Sequence, residues 1–375
     1  MSGNHHNQTT DFYEAMDKWK CIAATNAVRT RFDEMPKFDE GLYDLGSNIY
    51  AWMVPNGSWG ESNAGLITGK GDSLLVDTLW DLKYTRAMLD AMHSLTDETP
   101  IKYVVNTHSD GDHFFGNELV SHAEIIASKA CYKELIATKP GSMVLFGKAG
   151  KLFSTLKLFG GDAAGHWFRN MVAPYDFKEI NHTPPNRTFQ DKLKLDVGGR
   201  EIQLMQVKPS HTRGDVLVYV PDGRTLFTGD ILFIESTPVM WAGPLDNWLA
   251  ALDYILAMEV DIIVPGHGPV TDKAGVRMVK KYWDYLNDQV PRCYEAGMSA
   301  RDASYDIVLN DDFSRQPFAN WNSPERIMTN VYTMYRHLEG NTDSPKAPEL
   351  INILRKQALL ASKLPDAQPA VMRRP

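Results

Sequence analysis

Thr107-His108-Ser109-Asp110-Gly111-Asp112-His113 concentrates imidazoles and carboxylates in one short stretch, directly after the β-branched run Tyr103-Val104-Val105. The same arrangement recurs along the chain. Ile202 to Val207 leads into Pro209-Ser210-His211-Thr212-Arg213-Gly214-Asp215, Thr225-Leu226-Phe227 into Thr228-Gly229-Asp230, and Ile262-Ile263-Val264 into Pro265-Gly266-His267-Gly268. A weaker, earlier member is Asp77 in Leu74-Leu75-Val76-Asp77-Thr78. Short apolar runs bounded by turn residues read as buried strands, so each acid or imidazole sits on a loop at a strand end, and distant segments can converge on one sheet edge. A loop can fan His108, Asp110 and Asp112 around two ions where a helix would point them apart, and His113 then opens the next helix. Imidazole nitrogens and carboxylate oxygens are ligands for zinc, iron and manganese, and catalytic sites of this kind keep one position open for water.

Around these motifs the pattern is one of alternating strands and helices. Residues 10–35 have Phe12, Met16, Trp19, Ile22 and Ala23 near helical spacing. Strands follow from Ile49 to Asp77, broken by Pro55-Asn56-Gly57 and by the hairpin signal Gly69-Lys70-Gly71-Asp72. Helices are expected at Leu82 to Ser94 and from Phe114 to His122, with further hairpin turns at Val197-Gly198-Gly199-Arg200 and Pro221-Asp222-Gly223-Arg224. The alternation predicts an α+β chain with two sheets sandwiched between outer helices. Its divisions are an N-terminal helical segment 1–40, a catalytic unit 41–272 with an insertion at 138–186, a C-terminal helical region 273–365, and a disordered tail 366–375.

The four motifs and Asp77 resemble the signature of the metallo-β-lactamase superfamily, His-x-His-x-Asp-His followed by a distant His, an Asp and a final Gly-His, over roughly residues 45–272. The resemblance implies an αββα sandwich of two mixed β-sheets with a first metal on His108, Asp110 and His211. A second would take Asp112, His113 and His267, with Asp230 bridging both and Asp77 just behind them. The chain departs from the family at Asp110, where His is usual; the harder oxygen shifts preference from zinc towards manganese or iron. The implied cofactor is one or two divalent ions, zinc first, and the implied activity is hydrolysis of a small organic substrate by a metal-activated hydroxide. Asp112 would orient the nucleophile and shuttle its proton. Lactones, thioesters and esters lead; β-lactams, alkyl sulfates and aryl halides, or a mononuclear iron oxidoreductase of the same fold, are the alternatives. Ser109 is expected to bond local backbone.

Composition fits this class. With 375 residues, 43% hydrophobic and 23% charged, the chain can bury a large core, and a net charge of -8 without a Lys/Arg run argues against nucleic-acid binding. The absence of a long apolar run, of a basic and apolar N-terminus and of a paired cysteine pattern leads to the expectation of a cytoplasmic protein without membrane contact, a small molecule as its partner and a homodimer as its assembly.

Substrate-pocket candidates lie outside the motifs. The 138–186 insertion carries Phe146, Phe153, Leu158, Phe159, Trp167, Phe168, Met171, Tyr175 and Phe177 with interspersed glycines, and reads either as a substrate-covering lid or as a helical pair packed on the sandwich. Trp167, Phe168 and Trp241 are the pocket candidates, with Trp321, Arg326 or His337 able to reach in from the C-terminal helices. Sulfate chemistry would call for a cation such as Arg213, Lys208 or Arg169.

Overall fold

The structure, a computed structural model, describes residues 12–155 and 161–373. Its centre is a pair of facing sheets. The first has eight strands in sequence order: β1 Lys20–Ala24, β2 Gly41–Asp44, β3 Ile49–Met53, β4 Ala64–Thr68, β5 Ser73–Val76, β6 Ile101–Val105, β7 Glu124–Ser128 and β8 Arg187–Phe189. It is antiparallel as far as β5 and parallel from β5 to β8. The second comprises β9 Lys192–Val197, β10 Arg200–Gln206, β11 Val216–Val220, β12 Thr225–Phe227 and β13 Ile262–Val264, antiparallel except for the parallel pair β12 and β13. Ile49, Ile67, Val76 and Val105 from one sheet meet Leu204, Val216, Val218 and Phe227 from the other, a dry layer that holds the two together.

Helices cover both outer faces, completing the αββα sandwich. Helix α1, Leu82–Thr96, lays Met88 and Met92 on Leu66, Leu75 and Val104, and its start is fixed by the Asp81 carboxylate accepting from the Tyr84 amide. After α2 (Lys129–Leu135), α3 (Pro140–Phe153) and α4 (Gly161–Val172), the second sheet is covered by α5 (Leu245–Ala257), α6 (Lys273–Glu295) and, further along the chain, α9 (Ile327–Leu338). Trp248, Trp283 and Leu286 fill the space over Leu217, Leu226 and Ile263. Two short helices, α7 (Ala300–Leu309) and α8 (Asp311–Ser314), and a final α10 (Ala347–Ala361) complete the C-terminal helical region.

Three expectations are corrected. Within the described part of residues 10–35 there is a single 3-10 turn, Glu14–Lys18, followed by strand β1, whose alternate exposure and antiparallel pairing with β2 mark a sheet edge. Phe12 and Met16 are buried as the spacing suggested, but in two different clusters, and beyond Lys18 the open hydrogen-bonding edge of β2 captures the chain. Phe114 to His122 forms a 3-10 turn, Phe115–Val120, because Asn117 is tied to Asn106 and to the Thr183 carbonyl. The tail is ordered through Arg373: Met372 is buried, the Ala370 amide donates to Glu34, and the Val371 carbonyl accepts from Asn170. Residues 1–11, Leu158 and Phe159 of the insertion, and residues 374–375 lie outside the described residues.

The insertion is a helical hairpin. Helices α3 and α4 touch backbone to backbone, since a Cβ on Gly165 would lie 2.1 Å from the Ser154 nitrogen. Trp167, wholly buried, sits edge-on to Trp59, and Phe168 packs at a tilt against Phe146.

Candidate metal centre

The strand ends of both sheets meet at one rim. His108 to His113 follow β6 of the first sheet, while His211 lies between β10 and β11, Asp230 follows β12 and His267 follows β13. Asp230 stands at the middle: its carboxylate oxygens lie 3.7 Å from Nε2 of His108, 3.2 Å from that of His113, 3.4 Å from that of His211 and 3.5 Å from that of His267. Asp110 approaches His211 Nε2 at 3.2 Å and Asp112 approaches His267 Nε2 at 3.4 Å. Two ligand groups result, His108, Asp110, His211 and Asp230 in one and Asp112, His113 and His267 in the other, each with its ligand atoms within 4.8 Å of one another. The Pro-Gly-His turn must carry glycine at 266, because a Cβ there would fall 1.9 Å from an Asp230 oxygen.

The outer nitrogens of three imidazoles are spoken for. His211 Nδ1 donates to the Val239 carbonyl across 2.7 Å, which leaves its Nε2 lone pair facing the centre when the ring is neutral. Thr107 Oγ1 donates its single proton to Asp77 Oδ2 at 2.7 Å and therefore accepts from His108 Nδ1 at 2.9 Å. His113 Nδ1 lies 2.9 Å from the same Asp77 oxygen, and the Thr107 amide donates to the other at 2.7 Å. Asp77 thus sits behind the cluster, held against the His113 ring directly and the His108 ring through Thr107. Inside, His108 Nε2, His113 Nε2 and Asp230 Oδ1 are buried without hydrogen-bond partners.

Charge shows what the centre favours. Burial lowers the His108 imidazole, reinforced by His113, well below its usual range. At His113 and His211 burial acts in the same sense but is overcome by Asp230 with Asp112, and by Asp110 with Asp230, which hold His113 well above the usual range and His211 at about 9. The carboxylates thus favour positive charge at the centre, and the donor set with its partnerless inward atoms fits divalent cations.

Several supporting residues carried no role in the sequence reading. Asp215 accepts from the Thr212 amide and hydroxyl, closing the His211 loop, and was visible only as a nearby carboxylate in that motif. Asn63 donates to the Pro265 and Gly268 carbonyls and so clamps the His267 turn from another sheet, a contact with no local signal. Ser109 donates to Glu134 at 3.0 Å, where local backbone had been expected, because α2 brings that carboxylate across the loop.

Above the cluster lies a cavity of about 630 Å³, walled by Trp59, Trp80, Phe115, Met143, Phe146, Met171 and Leu354 and floored by Asp110, Asp112, Asp230 and His267. Trp241 lines it and donates from Nε1 to Asp110 Oδ2 at 2.9 Å. Trp167 and Phe168 do not reach it; on the buried inner side of α4 they pack behind the wall that Met143, Phe146 and Met171 present. Of Trp321, Arg326 and His337, only Arg326 lines the cavity, and neither Arg213, Lys208 nor Arg169 does.

Comparison with known proteins agrees with this architecture. The linear primary-alkylsulfatase of Pseudomonas sp. is 25% identical over 251 residues, 60% of this chain and 46% of that protein. The 2,4-dinitroanisole O-demethylase subunit alpha of Nocardioides sp. is 23% identical over 208 residues, 54% of this chain and 51% of that one. The chain therefore spans about half the length of these curated relatives. Among solved structures, a stereoselective inverting sec-alkylsulfatase from Pseudomonas sp. shares the fold with a TM-score of 0.60 at 16% identity, over 85% of this chain and 54% of its own. The family described as the metallo-beta-lactamase superfamily matches residues 57–267, a span that runs from the loop before β4 to the last imidazole of the cluster and covers more than half of the sequence; the chain belongs to that superfamily.

Proposed function

We propose that this chain is a metal-dependent hydrolase of a small organic substrate with an apolar body, acting on an acyl-type bond such as a lactone, thioester or ester. One observation carries the proposal: Asp230 lies within 3.7 Å of the inward nitrogen of four imidazoles at the floor of an apolar cavity. A divalent ion held there, zinc first and in one or two copies, would lower the pKa of a water molecule towards roughly 7 and polarise the bond under attack. The chain's own residues do the rest. His108, Asp110, His211 and Asp230 would hold one ion and Asp112, His113 and His267 the other. Asp112, mostly buried and within reach of His267, would orient the attacking water and carry its proton to the leaving group. Thr107, Asp77 and the Val239 carbonyl fix the imidazole rings, and the aromatic and methionine walls keep bulk water from the reacting centre.

A second reading, hydrolysis of an alkyl sulfate, is favoured by the similarity to alkylsulfatases and by the buried Arg326 beside the cluster. Metal analysis of the purified protein, followed by a panel of ester, thioester, lactone, β-lactam, sulfate and aryl-halide substrates, separates the two. Turnover of acyl substrates that is lost on chelation supports the first; turnover confined to sulfates replaces it with the second.

A further inference from the structure

Arg326 is a buried cation whose guanidinium hydrogen-bonds only neutral oxygens among the described residues. The residue is 1% exposed and lines the cavity beside Asp112, Asp230 and His267, yet its guanidinium makes no ion pair among the described residues. Nη1 donates to two neutral oxygens, Ser236 Oγ at 3.1 Å and the Thr237 carbonyl at 2.9 Å. Among the described residues Nε is buried with no partner, and Nη2 has no protein acceptor. The neighbouring carboxylate, Glu325, accepts from the indole of Trp167 at 3.4 Å and attracts Arg326 through space without a salt bridge to it. Meanwhile the guanidinium plane is held in place, its carbon 4.4 Å from the Trp59 ring centre and 5.4 Å from that of Phe233.

An unpaired buried charge is costly, and a guanidinium with uncommitted donors is a fork shaped for two oxygens of one anion. Glu325, Asp230 and Asp112 act on it through space without a salt bridge, and apart from the carboxylates and imidazole of the floor the cavity it faces is walled by apolar side chains. We infer that Arg326 anchors an oxyanion on the substrate, so that the molecule processed here is amphiphilic, with a carboxylate or sulfur oxyanion at Arg326 and an apolar body against Trp80, Phe146 and Met171. The inference rests on the hydrolase reading for the word substrate, and on Arg326 alone for the oxyanion.

The test is binding without turnover. Phenylacetate, phenylmethanesulfonate and neutral phenylacetamide, which share an apolar body, are titrated into the metal-loaded protein by calorimetry, with wild type, Arg326→Lys and Arg326→Met compared at equal metal content. Wild type is expected to prefer at least one anion to the amide by about ten- to hundredfold, with the better of the two identifying carboxylate or sulfur oxyanion as the natural head group. Arg326→Met should abolish the preference while keeping the amide affinity, and Arg326→Lys should retain part of it. An anion preference that survives in Arg326→Met assigns the anion to the metal ions and overturns the inference. So does a wild type that does not discriminate, a result that stands even where the methionine variant fails to fold. Lack of hydrolysis with the anion preference intact would defeat the proposed function and leave Arg326 in its role.

Discussion

The indole of Trp241 donates to Asp110, Nε1 to Oδ2 across 2.9 Å, at the one position where this chain carries a carboxylate in place of the imidazole its family usually has. His211 Nε2 lies 3.2 Å from that same oxygen. The side chain of Asp110 is one-third exposed to the cavity, so without the indole it would be free to turn away from the cluster. Trp241 therefore holds the carboxylate towards the cluster, an aromatic donor from a different loop fixing a short side chain.

Trp241→Phe keeps most of the ring and removes the donor. It is expected to weaken metal binding in the group formed by His108, Asp110, His211 and Asp230 on the order of tenfold, the lower end for an outer-shell partner, while leaving the other group unchanged. Competition against a chromophoric chelator reads both affinities; identical titrations for variant and wild type would show that Asp110 needs no such support.

Phe146 and Trp167 separate lining from packing. Phe146→Ala opens the cavity wall and should raise KM for substrates with large apolar bodies without changing metal content. Trp167→Ala removes a wholly buried side chain that touches Trp59 and Phe168, and is expected to destabilise the fold by roughly 3 to 5 kcal/mol with substrate preference unaltered. Thermal melts beside kinetics on both variants check this, and a change of specificity in Trp167→Ala without loss of stability would show that Trp167 acts on substrate choice and not through packing.

Glu61 makes stability depend on pH. Its Oε2 accepts from the Ser58 amide at 2.9 Å, but Oε1 is buried with no partner, and burial pushes the carboxyl up to about 8 from 4.5. Between those values the folded chain holds a proton that the unfolded chain releases, so stability falls as pH rises through the window. Glu61→Gln removes that slope. Its Tm should therefore decline less than that of wild type between about pH 5 and about pH 9, and parallel declines would mean that Glu61 is ionised in the fold.

The ligand cluster was legible in sequence because every member follows a strand, and strand ends of a sandwich converge by geometry. Turn chemistry at Gly69 to Asp72, Val197 to Arg200 and Pro221 to Arg224 likewise placed three hairpins correctly. What escaped depends on partners remote in the chain. Residues Lys20–Ala24 look helical until the edge of β2 is available to pair with. Residues 366–373 look like a free tail until Glu34 and Asn170 receive them. The cavity shows the same limit: spacing alone does not reveal that Trp167 turns inward on α4 while Phe146 on α3 faces the site, nor that Arg326 arrives there with only neutral hydrogen-bond partners among the described residues.

Metal counting on the purified protein before and after chelation, with hydrolysis followed in parallel, tests the central claim most directly. Wild type is expected to hold one or two divalent ions, to lose all turnover when they are removed and to regain it when they are restored, while Asp230→Ala, deprived of the carboxylate that neighbours all four imidazoles, should neither retain the ions nor turn over substrate. Full turnover after verified metal removal, or an Asp230→Ala variant that works as well as wild type, would contradict it.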